Sequence, residues 1–359
     1  MDPIRIWFAY EFAILLVGKV LCIEIARRLG SNLWVIKRTI EISREPTHLA
    51  VRDNQLLILR KSEQDSRRLP ARPPNLSGTI PCEDIGVVMV DHRQTTYSHH
   101  TLIKLAEHEA ALVICGQDHH PVGMYLPLSK NTHLLSRLDA QLNASKPTKK
   151  RLWQQIVTAK VRAQADALFP LRSESAQNAK IKLEALSRRV RSGDPENIES
   201  QAAAVYWKVF FHDCPDITKP FRRKPGDRTA SPPNNLLDYG YSAIRAAVAR
   251  SIVSSGLLPA VGVKHIGRSN PFCLADDLME PLRPLVDRRA RWLAMRGELE
   301  LSQANKAELL EVLTEEVAFE DQTGPLFVVI ARYVSGFVHV LTGESKDLSY
   351  PQSVGETGT

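Results

Sequence analysis

Near Lys130 the apolar residues of this chain change period, from about two to about 3.6, and that change fixes the fold class more firmly than any other feature. Before it, Ile36 to Ile42, Thr47 to Val51 and Gln55 to Leu59 are short, β-rich and separated by polar or Pro-containing turns, which predicts strands of a meander. Further strands are predicted at Gly86 to Val90, Ala111 to Cys115 and Val122 to Leu126, with a helix over Ser98 to Glu109 and an exposed loop over Arg67 to Ser77. After Lys130 the pattern is helical: Lys149 to Phe169, Ile181 to Val190, Asn197 to Phe211, Leu236 to Ser255, Pro271 to Met295, Asn305 to Val317 and Leu326 to Leu341. Pro281 and Pro284 should bend or break the fifth of these. The expected class is therefore α+β: a small β-rich domain over residues 35–130, then a larger helical domain over 131–343, with 344–359 as a flexible tail. A length of 359 residues suits two domains.

Composition narrows the function classes. An apolar fraction of 43% and a charged fraction of 24% belong to a folded globular chain, which excludes a disordered or collagen-like protein. The 47 basic against 40 acidic residues lean toward a polyanionic partner. Five dispersed cysteines without a C-x-x-C pair indicate neither a disulfide framework nor a zinc ribbon, and fit a reducing cytoplasm. Ile6 to Ile25 is the most apolar stretch. Its longest uncharged piece, Phe12 to Gly18, is far shorter than the ~18–20 residues of a bilayer span, so no membrane association is expected. His99, His100, His119 and His120 have no suitably spaced carboxylate and are expected on loops or solvated faces.

Candidate chemistry lies on the helices. Glu199 precedes Ala202, Ala203 and Ala204, a thin helix surface that lets another backbone approach and places a carboxylate in a helix crevice. Asp276 and Asp277 are four and three residues before Glu280, so either pair shares a helix face. Acids among Leu, Ala and Met are costly unless paired. A divalent cation would satisfy them, and so would Arg283 or Arg288. His265, in the preceding loop, could complete an open O/N ligand set of the kind that suits Mg²⁺ or Mn²⁺.

The segment Pro232 to Arg245, its continuation to Pro259, the run Gly262-Val-Lys-His265, and Leu274 to Pro284 together resemble the core of the CRISPR-associated integrase, the first protein of the spacer-acquisition module. Ile36 to Ser43 and the Trp153 to Gln164 helix resemble its type II form. The resemblance covers roughly Val35 to Gly343. It implies a β-rich domain followed by a helical one, and a metal-dependent endonuclease and integrase. Such an enzyme directs the 3′-hydroxyl of a short foreign duplex at a phosphodiester of a CRISPR repeat. The family's metal-binding and catalytic positions fall on Glu199, His265 and Glu280, with Asp277 as a further candidate ligand. Where relatives commonly carry asparagine, Leu237-Asp-Tyr-Gly-Tyr241 carries Asp238. Relatives begin near Val35, which marks residues 1–34 as an expected non-native or disordered extension.

For DNA contact, Lys219, Arg222, Arg223, Lys224 and Arg228 crowd one loop; Lys264 and Arg268 bracket His265, and Arg250 lies on the helix after Asp238. The implied partners are double-stranded DNA, a second copy of the chain and the small second adaptation protein. In type II systems they extend to the RNA-guided effector nuclease and a ring-shaped DNA-end-binding protein. Two other readings stay open: a metal-dependent repair nuclease, and a catalytically silent DNA-binding scaffold.

Overall fold

The computed structural model describes residues 37–60, 73–117, 119, 121–169, 171–227, 229–267 and 269–354. The expected extension over 1–34 lies outside them, as do Arg228 and Arg268. Lys37–Thr359 forms one compact unit.

Among the described residues eight strands come first: β1 (Arg38–Ile42), β2 (Thr47–Arg52), β3 (Gln55–Arg60), β4 (Leu76–Pro81), β5 (Ile85–Val90), β6 (Thr96–Tyr97), β7 (Ala111–Cys115) and β8 (Pro121–Tyr125). They form two four-stranded sheets rather than one meander, in the orders β1-β5-β7-β8 and β4-β3-β2-β6. β5, Ile-Gly-Val-Val-Met-Val, is buried at every position. An uninterrupted apolar strand needs cover on both faces and partners on both edges, and β1 and β7 flank it in parallel. That requirement draws β1 away from the β2–β3 hairpin, whose Asp53-Asn54 turn has positive φ at both residues. The helix α1 (His99–Glu107) is capped by Ser98, and His99 and His100 are exposed on its first turn.

The second sheet, α1 and one face of β5 and β7 enclose a small core that includes Leu49, Leu56, Ile85, Val88 and Leu112. Val87, Met89, Ala111 and Val113 on the opposite face enter the large helical core. The β5 sheet is therefore a middle layer. Gly86 is required there, since a Cβ would lie 2.2 Å from the Phe327 ring.

Next come the helices α2 (Leu134–Leu142), α3 (Lys146–Ala167), α4 (Glu174–Arg189), α5 (Ile198–Phe210) and α6 (Asn234–Ser254). α6 is buried almost all round and runs through the core. As the prolines predict, the following helix is broken. α7 (Cys273–Met279) passes through a 3₁₀ turn at Glu280–Leu282 into α8 (Arg283–Met295), whose Val286 packs on Gly240 of α6.

Two expectations near the end need correction. The helix expected over 305–317 ends early: α9 (Gln303–Leu310) and a 3₁₀ turn give way to the hairpin β9 (Glu316–Phe319) and β10 (Gln322–Pro325), whose turn holds Glu320 at positive φ. The apolar spacing of Val317 and Phe319 serves a strand, with both side chains buried. Beyond α10 (Leu326–Thr342) and its left-handed Gly343 cap, the chain to Val354 packs down instead of fraying. Leu348 is buried, and β11 (Gln352–Ser353) joins β9. Among the described residues no helix is long and apolar enough to cross a membrane.

Candidate active site

A cleft of about 790 Å³ opens between α3, α5, the 220–225 loop, the 3₁₀ turn and the His265 loop. Glu199, His265 and Glu280 all line it, with Lys160, Gln164, Trp207, Arg222, Arg223 and Arg283.

Glu199 reaches the cleft because it lies in the first turn of α5, where negative charge is favoured by the helix dipole. Asp194 starts that helix: its carboxylate accepts from the amides of Ile198 at 2.8 Å and Glu199 at 3.0 Å. Glu280 is delivered by the turn that Pro281 imposes, and it is buried.

Lys160 of α3 lies between these two acids. Its Nζ donates to Glu199 Oε1 at 2.7 Å and lies 2.6 Å from Glu280 Oε2. The second contact is close in distance but lacks hydrogen-bond geometry, so Oε2 is a buried oxygen without a hydrogen bond. Arg283 Nε, 3.1 Å away, completes the surroundings of Oε2. Burial alone would raise the Glu280 carboxyl, but Arg283 and Lys160 outweigh it and hold it at about 2. Burial would lower Lys160, and Glu280 and Glu199 raise it instead. These charges keep each other ionised.

His265 is fixed by Asp277. The buried carboxylate accepts at Oδ2 from the amides of Val263 at 2.6 Å and Lys264 at 3.0 Å. Its Oδ1 takes the His265 amide at 3.3 Å and ring Nδ1 at 2.6 Å. An acceptor-only partner requires Nδ1 to carry the proton, which leaves Nε2 as the lone-pair nitrogen of the neutral ring. The hydrogen bond to Asp277 holds the ring above its usual range against the opposing effect of burial. Trp153 meets the imidazole edge-on at 5.8 Å between ring centres. Gly262 makes the tight loop feasible, because a Cβ there would lie 2.5 Å from the His265 carbonyl and 2.8 Å from Asp277 Oδ2. Asp277 is thus an orienting group with both oxygens engaged, and a direct metal contact does not fit that geometry. Asp276 accepts from Arg245 and Asn270, both at 2.7 Å, and turns away from the ligand set.

The expected DNA contacts divide. Arg222, Lys224 and Lys264 are exposed. Arg223 lines the cleft while paired with Asp238, whose other oxygen accepts from the Gly226 amide at 3.1 Å. The aspartate at 238 therefore clamps the basic loop. Arg250 is corrected: it is buried, hydrogen-bonded to the Glu109 carbonyl and stacked over Phe327, so it joins α6 to the β5 layer and is closed to a phosphate. Arg288, Arg289 and Arg291 pair with Glu315, Glu308 and Asp213.

Sequence reasoning missed Lys160 and Asp287 as site residues, whereas Arg283, expected as a possible partner of the acids, does stand beside Glu280. The signal for Lys160 was its place on the apolar stripe of α3, after Trp153 and Ile156 and before buried Gln164, where a surface lysine does not belong. Among the described residues, no three His, Cys, Asp or Glu side chains stand close enough to chelate a metal as placed. The donor set nevertheless fits a hard divalent cation: two carboxylates sharing one cation, a buried oxygen lacking a hydrogen bond, and an imidazole oriented through its other nitrogen.

The family model described as CRISPR associated protein Cas1 matches residues 40–319. The chain belongs to the Cas1 family. The CRISPR-associated endonuclease Cas1 of Neisseria meningitidis is 37% identical over 289 residues, which is 80% of this chain and 91% of that protein. In structure, this Cas1-family chain resembles a casposase bound to its integration product, with a TM-score of 0.70, 20% identity, and coverage of 87% of this chain and 92% of that one. It also resembles a chain of a Cas6-RT-Cas1–Cas2 complex, with a TM-score of 0.66, 17% identity, and coverage of 92% of this chain and 37% of that one. These likenesses support the mixed fold, with β-sheets preceding a helical region.

Proposed function

We propose that the chain is the metal-dependent integrase and endonuclease of CRISPR spacer acquisition, in its type II form and in the cytoplasm. It would join the 3′-hydroxyl of a short foreign duplex to a phosphodiester of the repeat. The observation that carries this reading is the convergence of Glu199, His265 and Glu280, from three separate elements, on one cation-rimmed cleft. A Cas1 endonuclease among the relatives and a casposase among the structural neighbours support it.

Glu199, Glu280 and His265 Nε2 would hold Mg²⁺ or Mn²⁺. When bound, the ion supplies charge withdrawal from the phosphoryl oxygen under attack and alignment of the entering and leaving oxygens. Asp277 keeps Nδ1 protonated and the ring turned to the cleft. Because His265 coordinates only as the neutral ring, and Asp277 favours its charged form, ion affinity falls as pH drops through the raised value. Arg222, Lys224 and Lys264 hold the phosphate backbone without reading sequence. With water in place of the 3′-hydroxyl, the same groups support hydrolysis.

The partners proposed are double-stranded DNA, a second copy of the chain and the small second adaptation protein. The complex named in the comparison, which contains Cas2, supports the last of these. The effector nuclease and the ring-shaped end-binding protein belong to the same type II reading.

The test mixes the full chain and the small partner with a short duplex and a repeat-bearing supercoiled plasmid, in Mn²⁺ or EDTA, with His265→Ala in parallel. Joining that needs Mn²⁺ and is lost in the variant is the expected result. Joining that survives EDTA would overturn the reading. Degradation without joining indicates a repair nuclease, and binding alone a scaffold.

A further inference from the structure

We propose that Lys160 is an internal counter-cation that competes with the divalent ion for Glu199 and Glu280, so that ion and DNA phosphate bind cooperatively. This rests on the ion-binding role given above to the two acids.

The argument is one of charge. Lys160 Nζ contacts Glu199 Oε1 at 2.7 Å and Glu280 Oε2 at 2.6 Å, and Arg283 Nε lies 3.1 Å from the same Glu280 oxygen. Two carboxylates and two cations already balance. The lysine is placed by the body of α3, where Trp153, Ile156 and Val157 are buried on the same side, and its own side chain is only 11% exposed. It is therefore part of the cleft wall and no surface charge that swings freely. A divalent ion entering beside it brings two further positive charges next to the largely buried Lys160 and Arg283 side chains, where like charges a few ångströms apart repel.

Two routes relieve the repulsion. Lys160 can leave the carboxylates, giving up its ion pairs with Glu199 and Glu280 to the incoming ion. Alternatively a phosphate can enter with the ion and take Lys160 as its own counter-ion. Arg222 and Arg223 line the same cleft and favour the phosphate further. By linkage, if DNA tightens ion binding, the ion tightens DNA binding by the same factor. The free protein would then bind the ion weakly until DNA arrives.

The test is Mn²⁺ titration of the full-length protein, read by the paramagnetic resonance of free Mn²⁺, with and without a short DNA duplex. In the wild type, DNA should tighten Mn²⁺ binding by about tenfold or more. Lys160→Met and Lys160→Gln should bind Mn²⁺ about tenfold tighter without DNA and show a smaller gain on adding it. Melting in EDTA establishes that each variant is folded, and the larger Mn²⁺-induced rise in Tm should belong to the variants. Wild-type affinity unchanged by DNA overturns the proposal whether or not the variants fold. Equal Mn²⁺ affinity in wild type and folded variants overturns it too, while leaving the metal site standing. Mn²⁺ bound by none of the three proteins overturns both.

Discussion

Glu280 and Asp287 lie seven residues apart on one bent helical segment, both buried and both lining the same cleft, yet their carboxyls are shifted in opposite directions. Burial opposes the charge of each. At Glu280, Arg283 and Lys160 win and hold the carboxyl at about 2. At Asp287 burial wins and pushes the carboxyl up to about 7, against hydrogen bonds from the hydroxyls of Tyr241 and Tyr206, the latter at 3.0 Å. Neutral hydroxyls stabilise a carboxylate less than a lysine and an arginine in contact do. The cleft therefore keeps one acid ionised across the neutral range and leaves the other titrating near neutrality as part of its floor.

The largest effect should separate the two acids directly. Glu280→Gln should lower Mn²⁺-dependent strand joining by more than about 100-fold, since a charged donor is lost where outer-sphere losses already cost 10–100-fold. Asp287→Asn should stay within about tenfold at pH 8, as measured in the same joining assay. Equal losses would break the contrast. Asp277→Asn should fall between, with Mn²⁺ affinity reduced about 10–100-fold by titration, because the amide cannot accept from both the loop amides and His265 Nδ1.

The parts legible from sequence were those with local signals. The strand-to-helix switch, the break at Pro281 and Pro284, and the positions Glu199, His265 and Glu280 were read from periodicity, from proline chemistry and from family motifs. The partition of strands into two sheets was not, because pairing of β1 with β5 joins segments over forty residues apart in sequence and depends on burial of both faces of β5. Lys160 escaped for a related reason. A basic side chain in an amphipathic helix reads as solvated until the opposing acids are in place. Arg250 failed in the other direction: its charge suggested DNA, and its buried face on α6 assigns it to the Glu109 carbonyl.

Stability against pH sharpens the contrast, because the two carboxyls carry opposite linkage. Glu280 is depressed from 4.5 to about 2, so its contribution is present above pH 4.5 and lost as pH falls toward 2. Asp287 is raised from 3.8 to about 7, so its contribution is present below pH 3.8 and lost as pH rises through 7. Asp287→Asn removes the second dependence. Its Tm relative to wild type should climb steadily between pH 5 and pH 8, in melts taken with EDTA. A difference independent of pH would mean that Asp287 is ionised throughout, like Glu280.

The smallest effect is expected where neither burial nor a fixed partner amplifies the charge. Arg222 is exposed at the rim of the cleft. Arg222→Ala should weaken DNA binding only a few-fold near physiological salt, and the slope of log affinity against log salt should become shallower by about 0.9 for one lost phosphate contact. Tm should change little, because surface substitutions away from packed features usually stay within about 0.5 kcal/mol. A loss in Mn²⁺-dependent joining as large as that of Glu280→Gln, with DNA affinity unchanged, would place Arg222 in contact with the reacting phosphate and would extend the buried electrostatics of Glu280 out to the rim.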